Sequence, residues 1–326
     1  DTRAVRDGVT LLRELGALPA PGSRRRRSPL TPVGHALAEL PIDPRLARMI
    51  VAGGERGVAR EVMIIAAALS IQDPRERPTD RRGEADSYHG RFADPRSDFL
   101  TYLNLWEYLR AAQRELSGSA FRRRVKAEYL NYLRIREWQD LVTQLRTAAR
   151  PAGVTVLPPT KQDRVTVTDR RVIRTGGTGA AAYAVETEQT DAFRLAWDGD
   201  AIHLALLSGL LANIGVKDSP LRRDERTDRS RRRRSGPVEY TGTRGSRFAI
   251  FPGSPVAKHP PEVLMAGELV ETSRLWAREV AAIQADWVED VGTHLVKRSY
   301  ADPGWSGNQG AAMVTEKVTL LGVPLI

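Results

Sequence analysis

Between Asp43 and about Arg150, apolar residues recur at the spacing of α-helices, without a strand-like alternation. A first stripe at positions i, i+4, i+7 and i+11 consists of Val58, Val62, Ile65 and Leu69. A second stripe, in the next predicted helix, consists of Phe99, Leu103, Trp106 and Leu109. The segment after Ser119 has apolar residues on more than one face, so we expect it to be the central helix of a bundle.

The first 42 residues favour a small winged-helix unit. Val5, Val9 and Leu12 recur at helical spacing before Gly16, a residue suited to a helix C-terminus. Thr31 followed by Pro32 is a good pair for the start of the next helix. The basic run 24–27 lies between these helices, where a winged helix carries its hairpin. This wing could contact nucleic acid, or the unit could serve mainly for packing.

After a further predicted helix at Ile202–Ile214 and the residues up to Pro237, the pattern changes to short strand-like runs separated by Pro and Gly turns. These runs lie around Arg247–Phe251, Val263–Thr272 and Lys317–Val323, and they fit a small Greek-key barrel. The predicted fold class is therefore α+β multidomain: a winged helix, a helical bundle and a small OB-type β-barrel. The predicted boundaries are 1–42, 43–216 and 217–326.

Two segments interrupt this organisation. Residues 151–199 are rich in Thr, Gly and charge and are interpreted as an insertion within the helical unit. Residues 221–237 are too polar and too charged to contribute a core, and they predict a basic loop. Either segment could add affinity for a polyanion or have no role in binding.

Composition points to a polyanionic partner. The net charge is +10, and 44 of the 50 basic residues are arginines, whose planar guanidinium suits phosphate contact and stacking on bases. Part of this bias can also reflect genome composition. The chain has no cysteine, which excludes disulfides and thiolate metal sites and makes a cytoplasmic location the default. No apolar run approaches the roughly 20 residues of a membrane span.

Catalytic constellations are scarce in the sequence. The five histidines form no H-E-x-x-H motif, and no G-x-S-x-G motif occurs. Gly177, Gly179 and Ala182 satisfy the G-x-G-x-x-[GA] pattern. Their flanks lack the strand, long helix and parallel strand of a dinucleotide site, so a glycine turn is the favoured interpretation.

Several long segments together resemble one protein family. In chain order they are Leu30–Pro78, Phe121–Arg146, Ile202–Asp218, Glu239–Ser254, Glu268–Arg278 and Trp287–Ile326. They resemble the accessory region that follows the two RecA-like motor domains in DEAH-box RNA helicases, in particular those of the bacterial HrpA type. Neither a G-x-x-x-x-G-K-[ST] phosphate loop nor an Asp-Glu-Ala-His run occurs in the sequence. The chain thus resembles a helicase region without its motor, and its start favours a fragment of a longer chain.

The segment after Ser119 carries the first group of candidate RNA-binding residues. The cations are Arg122, Arg123, Lys126, Arg134 and Arg136, and they interleave with Tyr129, Tyr132 and Trp138. Such a combination can grip a single strand by phosphate contact and base stacking. Alternatively, Glu128, Glu137 and Asp140 neutralise the cations and the aromatic rings belong to the core. The resemblance, in which the helical domain borders an RNA channel, favours binding.

The predicted barrel carries the second group, which consists of Arg244, Arg247, Lys258, Thr272, Ser273 and Arg274. OB-type barrels present a strand face and loops to oligonucleotides. The resemblance implies that the ELVETSR segment faces the RNA path, which makes Thr272 and Arg274 the preferred contacts. The alternative is a strand-end cap and a surface ion pair from Arg274 to Glu268 or Glu271.

The resemblance implies an accessory region of an ATP-dependent 3′-to-5′ RNA helicase. Its ligand would be single-stranded RNA and its partner its own RecA-like motor domains, which use ATP and Mg²⁺. The region itself would need no cofactor and no membrane, and it would lack ATPase activity alone. The alternative function is a stand-alone nucleic-acid-binding or interaction module that uses the winged helix on duplex DNA.

Overall fold

The computed structural model describes residues 2–19, 29–158, 166–167, 193–218, 236–306 and 311–325. The helices are α1 (Thr2–Glu14), α2 (Pro32–Glu39), α3 (Pro44–Glu55), α4 (Ala59–Ser70), α5 (Arg82–Gly90), α6 (Asp98–Glu115), α7 (Gly118–Ala127), α8 (Tyr132–Ala149), α9 (Gly199–Leu210) and α10 (Ala285–Val291). The strands are β1 (Thr166–Val167), β2 (Arg194–Leu195), β3 (Ile214–Lys217), β4 (Glu239–Gly242), β5 (Arg247–Ile250), β6 (Val263–Glu271), β7 (Leu275–Ala282), β8 (Val296–Ser306), β9 (Ala311–Leu320) and β10 (Val323–Pro324). None of the described helices is long and apolar enough to cross a membrane.

The N-terminal unit shows the predicted helix signals. Helix α1 ends before Gly16, which has a φ of 70°. Thr31 caps α2 by accepting a hydrogen bond from the Gly34 N–H, with Pro32 at the first helical position. A winged helix is not confirmed, since the described part of this unit contains two helices and no strand, and the predicted wing at 24–27 lies outside the described residues. Val5 is 66% exposed, so the predicted α1 stripe is only partly used for packing.

The centre of the helical bundle is α4. Every residue from Val62 to Ala68 is buried, and α4 packs against α3, α6, α8 and α9. The prediction that the segment after Ser119 is the central helix was therefore wrong. That segment forms two helices, because Asn131 accepts hydrogen bonds from the N–H groups of Leu133 and Arg134 and so starts α8 anew. Tyr129, in the turn between α7 and α8, has a φ of 55°.

Helix α8 buries one stripe rather than several faces: Ile135, Trp138, Leu145 and Ala149. Trp138 has no exposed surface, and its Nε1–H donates to the carbonyl oxygen of Ile64 at 2.9 Å. The ring of Trp106 lies 5.0 Å from that of Trp138, nearly edge-on. Trp138 is consequently a core residue, which excludes it from stacking on a base.

The predicted β-barrel is confirmed. Five strands close in the order β3-β4-β5-β7-β6, with β5 and β7 parallel and the other pairs antiparallel. Its interior consists of Tyr240, Phe248, Ile250, Val256, Leu264, Ala266, Ala277 and Val280. The first strand begins at Ile214, directly after α9 and a short 3₁₀ turn, and thus before the predicted boundary at residue 217. The run predicted at 317–323 lies outside the barrel, in a separate sheet of order β10-β9-β8.

The helices and the barrel share one joint, formed by the start of α6 and by β7. The Asp98 carboxylate accepts hydrogen bonds from the Val280 N–H at 2.9 Å and from the Ser254 hydroxyl at 2.8 Å. Ser97 pairs with Ala281 in an isolated β-bridge, and the Ala282 N–H donates to the carbonyl oxygen of Arg96. Barrel residues such as Met265 belong to the same buried apolar cluster as the bundle. The two units therefore pack as one body.

Candidate nucleic-acid interface

The α7–α8 corner exposes four of the five cations predicted there. Arg122, Arg123 and Lys126 are exposed on α7, and Arg136 is exposed on α8. The Arg122 guanidinium lies 4.7 Å from the centre of the Tyr132 ring. Hydrogen bonds from Arg122 and then from Arg136 lower the pKa of Tyr132. The corner is thus a compact cationic surface that contains one aromatic ring.

One of the three acidic residues in the alternative, Glu128, does not neutralise the exposed cations of α7. Glu128 is buried; it accepts from the Tyr108 hydroxyl at 2.6 Å and pairs with Arg91 and Arg124. Within the described residues, no ion pair joins an acidic side chain to Arg122, Arg123 or Lys126. Three positive charges of α7 therefore stay available to an anion.

The remaining predicted residues of this segment have structural contacts. The Arg134 guanidinium donates to the carbonyl oxygen of Asp73 at 2.9 Å, which fixes the start of α8. Tyr129 is half-buried, and its ring lies 6.0 Å from that of Tyr88. Arg134 and Tyr129 are half-buried, whereas Arg122 and Arg136 are exposed.

The barrel places its predicted residues at two locations. Thr272, Ser273 and Arg274 are exposed and form the tight β6–β7 connection, where the Thr272 N–H donates to the Arg274 carbonyl oxygen at 3.0 Å. Lys258 is exposed at the end of the 3₁₀ helix Pro255–Lys258. In the part of the chain that the structure describes, no ion pair joins Arg274 to an acidic residue.

Two barrel arginines lie elsewhere. Arg244 pairs with Glu14 of α1, and its N–H donates to the Leu321 carbonyl oxygen, so it joins the N-terminal unit to the C-terminal sheet. The Arg247 side chain is 62% exposed and approaches Asp218 at 3.9 Å. Arg244 has a structural contact, whereas Arg247 is still accessible to a ligand.

Sequence reasoning missed four residues on or next to the side of the barrel formed by β5 and β7. Trp276 and Arg278 follow Arg274 at two-residue intervals on β7, and the neighbouring strand β5 leads into Phe251. Arg77 lies next to Gly253, since a methyl group at Gly253 would be 3.4 Å from Arg77 Nη1. The alternation Arg-Leu-Trp-Ala-Arg at 274–278 was a usable signal, because period two places its cations and its ring on one strand face.

The segment Asp73–Pro78, here called the bridging segment, contacts both the α7–α8 corner and the barrel. On one side, the Asn131 N–H donates to the Pro74 carbonyl oxygen, and the Asn131 side chain donates to Glu76 at 2.7 Å. On the other side, Arg77 reaches the barrel at Gly253. The α7–α8 corner and the β5 end of the barrel therefore border the same short segment.

A buried charge cluster underlies this surface at the joint. Arg75 binds the Asp73 carboxylate with Nε and Nη2 and lies over the Tyr102 ring at 5.0 Å. The Tyr102 hydroxyl is 3.5 Å from the carboxylate of Glu279, a residue with a φ of 47°. Burial raises the pKa of Glu279 to about 7, with further contributions from Glu268 and Asp98.

Among the described residues there is no cluster of three or more His, Asp or Glu side chains that could hold a metal ion. The glycine pattern at 177–182 lies outside the described residues. A binding surface for a polyanion is what the described geometry can provide.

Comparison with known proteins identifies the two units. Residues 202–295 match the family model "Oligonucleotide/oligosaccharide-binding (OB)-fold", and residues 43–102 match "Helicase associated domain (HA2), ratchet-like". The chain is 44% identical over its full length to "ATP-dependent RNA helicase HrpA" of Escherichia coli and 42% identical to the HrpA homolog of Haemophilus influenzae. It spans 21% of the length of each of these relatives.

A eukaryotic relative matches over a shorter range. The "Pre-mRNA-splicing factor ATP-dependent RNA helicase prp22" of Schizosaccharomyces pombe is 38% identical over 77 residues, which is 24% of this chain. The full-length similarity to the two bacterial proteins and the order of the two family matches agree with the described architecture. The chain is therefore homologous, over its whole length, to the C-terminal accessory region of HrpA-type DEAH-box helicases.

Proposed function

We propose that this chain holds single-stranded RNA as the accessory region of an ATP-dependent 3′-to-5′ RNA helicase. The observation that carries the proposal is the bridging segment, which is bordered on one side by the turn that joins α7, with its exposed cations, to α8 and on the other by the barrel at Gly253. A strand lying along this segment would meet guanidinium groups from both units. The chain's own motor domains would supply the movement.

The proposed mechanism divides two tasks between two parts of the protein. The motor domains would bind ATP and Mg²⁺ and step along the strand, whereas this region would hold it through many weak contacts. Guanidinium and ammonium groups bind phosphates regardless of base identity, so the strand can advance without sequence readout. The 326 residues contain no phosphate loop, so the chain alone is expected to show no ATPase activity.

Replacing Arg122, Arg123 and Lys126 together with glutamine is expected to weaken RNA binding and its salt dependence. Each phosphate contact to a single strand contributes about 0.7 to the slope of log K against log salt concentration, so losing three contacts should reduce the slope by about 2. The measurement is fluorescence anisotropy of the 326-residue chain with labelled oligo(U), titrated at several salt concentrations.

The matched control removes the same charge elsewhere. Arg6 and Arg13 on α1 and Arg146 on α8 are also exposed, and their joint replacement with glutamine changes the net charge equally. A control slope that falls as much as the α7 slope contradicts a specific surface. Tighter binding to duplex DNA than to oligo(U) would instead favour a stand-alone duplex-binding module.

A further inference from the structure

The outward face of the barrel carries two aromatic rings, each covered by an arginine. The rings of Phe251 and Trp276 are 6.2 Å apart and nearly perpendicular. The guanidinium of Arg278 lies 5.0 Å from the centre of the Phe251 ring, and that of Arg274 lies 5.5 Å from the centre of the Trp276 ring. We call these four residues the aromatic platform.

Strand register explains why these side chains share one face. Trp276 lies beside Ala249 in the parallel pair of β5 and β7, residues 276 and 278 occupy successive outward positions on β7, and Arg274 directly precedes this strand. Ala277, between them, points into the barrel and is fully buried. Ala249 itself is buried, whereas Trp276 beside it is only half-buried. The platform is thus built from strand alternation on β7 and from the pairing of β7 with β5.

The charges around the platform favour an anionic ligand that also has flat apolar surfaces. Arg274 has no acidic partner within the described residues, and the single one of Arg278 is Glu268 at 3.6 Å, where both side chains are about half exposed. Arg77, which pairs with Asp86 at 2.9 Å, lies next to Gly253, whose missing side chain leaves room at the edge of the Phe251 ring. A single-stranded nucleic acid combines phosphates with flat bases, and aromatic rings flanked by cations are the surfaces on which its bases stack.

We propose that Phe251 and Trp276 form a stacking site for bases of single-stranded RNA, in which Arg274 and Arg278 move from the rings to the adjacent phosphates. The proposal rests on the RNA-binding function proposed above. It adds a contribution to RNA affinity that does not depend on phosphate charge. It also gives the site a preference for single-stranded over duplex RNA, because the faces of paired bases in a duplex are already stacked on their neighbours. Stacking makes the site tolerant of base identity but dependent on the presence of a base.

The test compares ordinary and abasic RNA at high salt, where phosphate contacts are weak. Replacing Trp276 with leucine is expected to weaken binding to oligo(U) about tenfold, as is usual for the loss of one stacked base. Binding to an abasic oligoribonucleotide of the same length should change less than twofold. Trp276→Phe should restore most of the affinity, since a ring is retained. Phe251→Leu should behave as Trp276→Leu does.

The control and the contrary outcomes separate this proposal from the function on which it rests. Tyr300, an aromatic residue on β8 that is 64% exposed, gives the matched variant Tyr300→Leu, which should bind oligo(U) as the unaltered chain does. If oligo(U) binds but Trp276→Leu and Phe251→Leu leave its affinity unchanged, or weaken abasic RNA equally, the platform is overturned and RNA binding stands. If the unaltered chain binds no RNA, both proposals fail. Circular dichroism of each variant checks that it is folded.

Discussion

Gly209→Ala is expected to lower the free energy of unfolding by roughly 3 kcal/mol, because an added methyl group cannot fit between two helices. Gly209 lies in α9 where this helix crosses α3 at close range. A Cβ at this position would overlap the carbonyl oxygen of Arg45 and lie 2.8 Å from Cγ of Met49. The backbone oxygen cannot rotate away, so the helices must separate.

Gly8 in α1 provides a control of opposite sign. It is exposed, and a Cβ there would have no atom within 4 Å. Gly8→Ala should therefore raise the free energy of unfolding slightly, by up to about 1 kcal/mol, through helix propensity alone. Urea denaturation of both variants measures the difference. Equal effects of the two substitutions would show that the crossing of α3 and α9 is looser than described.

The unaltered chain is expected to lose stability relative to Glu279→Gln as the pH rises from about 5 to 8. Burial raises the pKa of Glu279 to about 7, above its ordinary value of 4.5, so the folded chain holds a proton that the unfolded chain releases. The stabilisation by this proton is fully present below the ordinary pKa of 4.5, and it disappears as the pH rises through the folded-state pKa of about 7. The expected size is roughly 2–3 kcal/mol.

The quantity to compare is the difference in the free energy of unfolding between the unaltered chain and Glu279→Gln at each pH. Burial lowers the pKa of His89 and of His203 to about 4, and this makes stability rise with pH over the acidic range, opposite in sign to the effect of Glu279. Both histidines are present in both chains, so the difference removes them. Glu115→Gln, at an exposed position on α6, is the control. A difference that stays constant from pH 5 to 8 would exclude a proton on Glu279.

Much of the fold could be predicted, and the errors have physical causes. The cap at Thr31 and the helical bundle follow from local residues, and the barrel follows from turn-separated strand runs. The central helix was misassigned because α4 is filled by alanines at 66–68, whose burial depends on neighbours rather than on their own hydrophobicity. Strand β3 was missed because Ile214–Lys217 directly continues an apolar helix, and periodicity cannot separate so short a strand from it.

The sequence predicted which residues give the candidate site its charge, but it did not predict which of them contact other parts of the protein. The sequence identified the cations of α7, which are exposed. It could not show that Arg134 and Arg244 are engaged by Asp73 and Glu14, since those partners are distant in the chain. Burial of Trp138 likewise depends on α4. The aromatic platform was missed because its rings come from two strands whose pairing only the barrel creates.

The joint between α6 and β7 also determines how the region would bear a mechanical load. Trp276 lies only four residues before Val280, whose N–H is held by the Asp98 carboxylate at the first turn of α6. A pull on Trp276 along β7 would load the hydrogen bonds to β5 and β6 in shear, all at once, and pass directly into α6. The barrel would then resist tension together with the bundle, through the contacts between β7 and the start of α6.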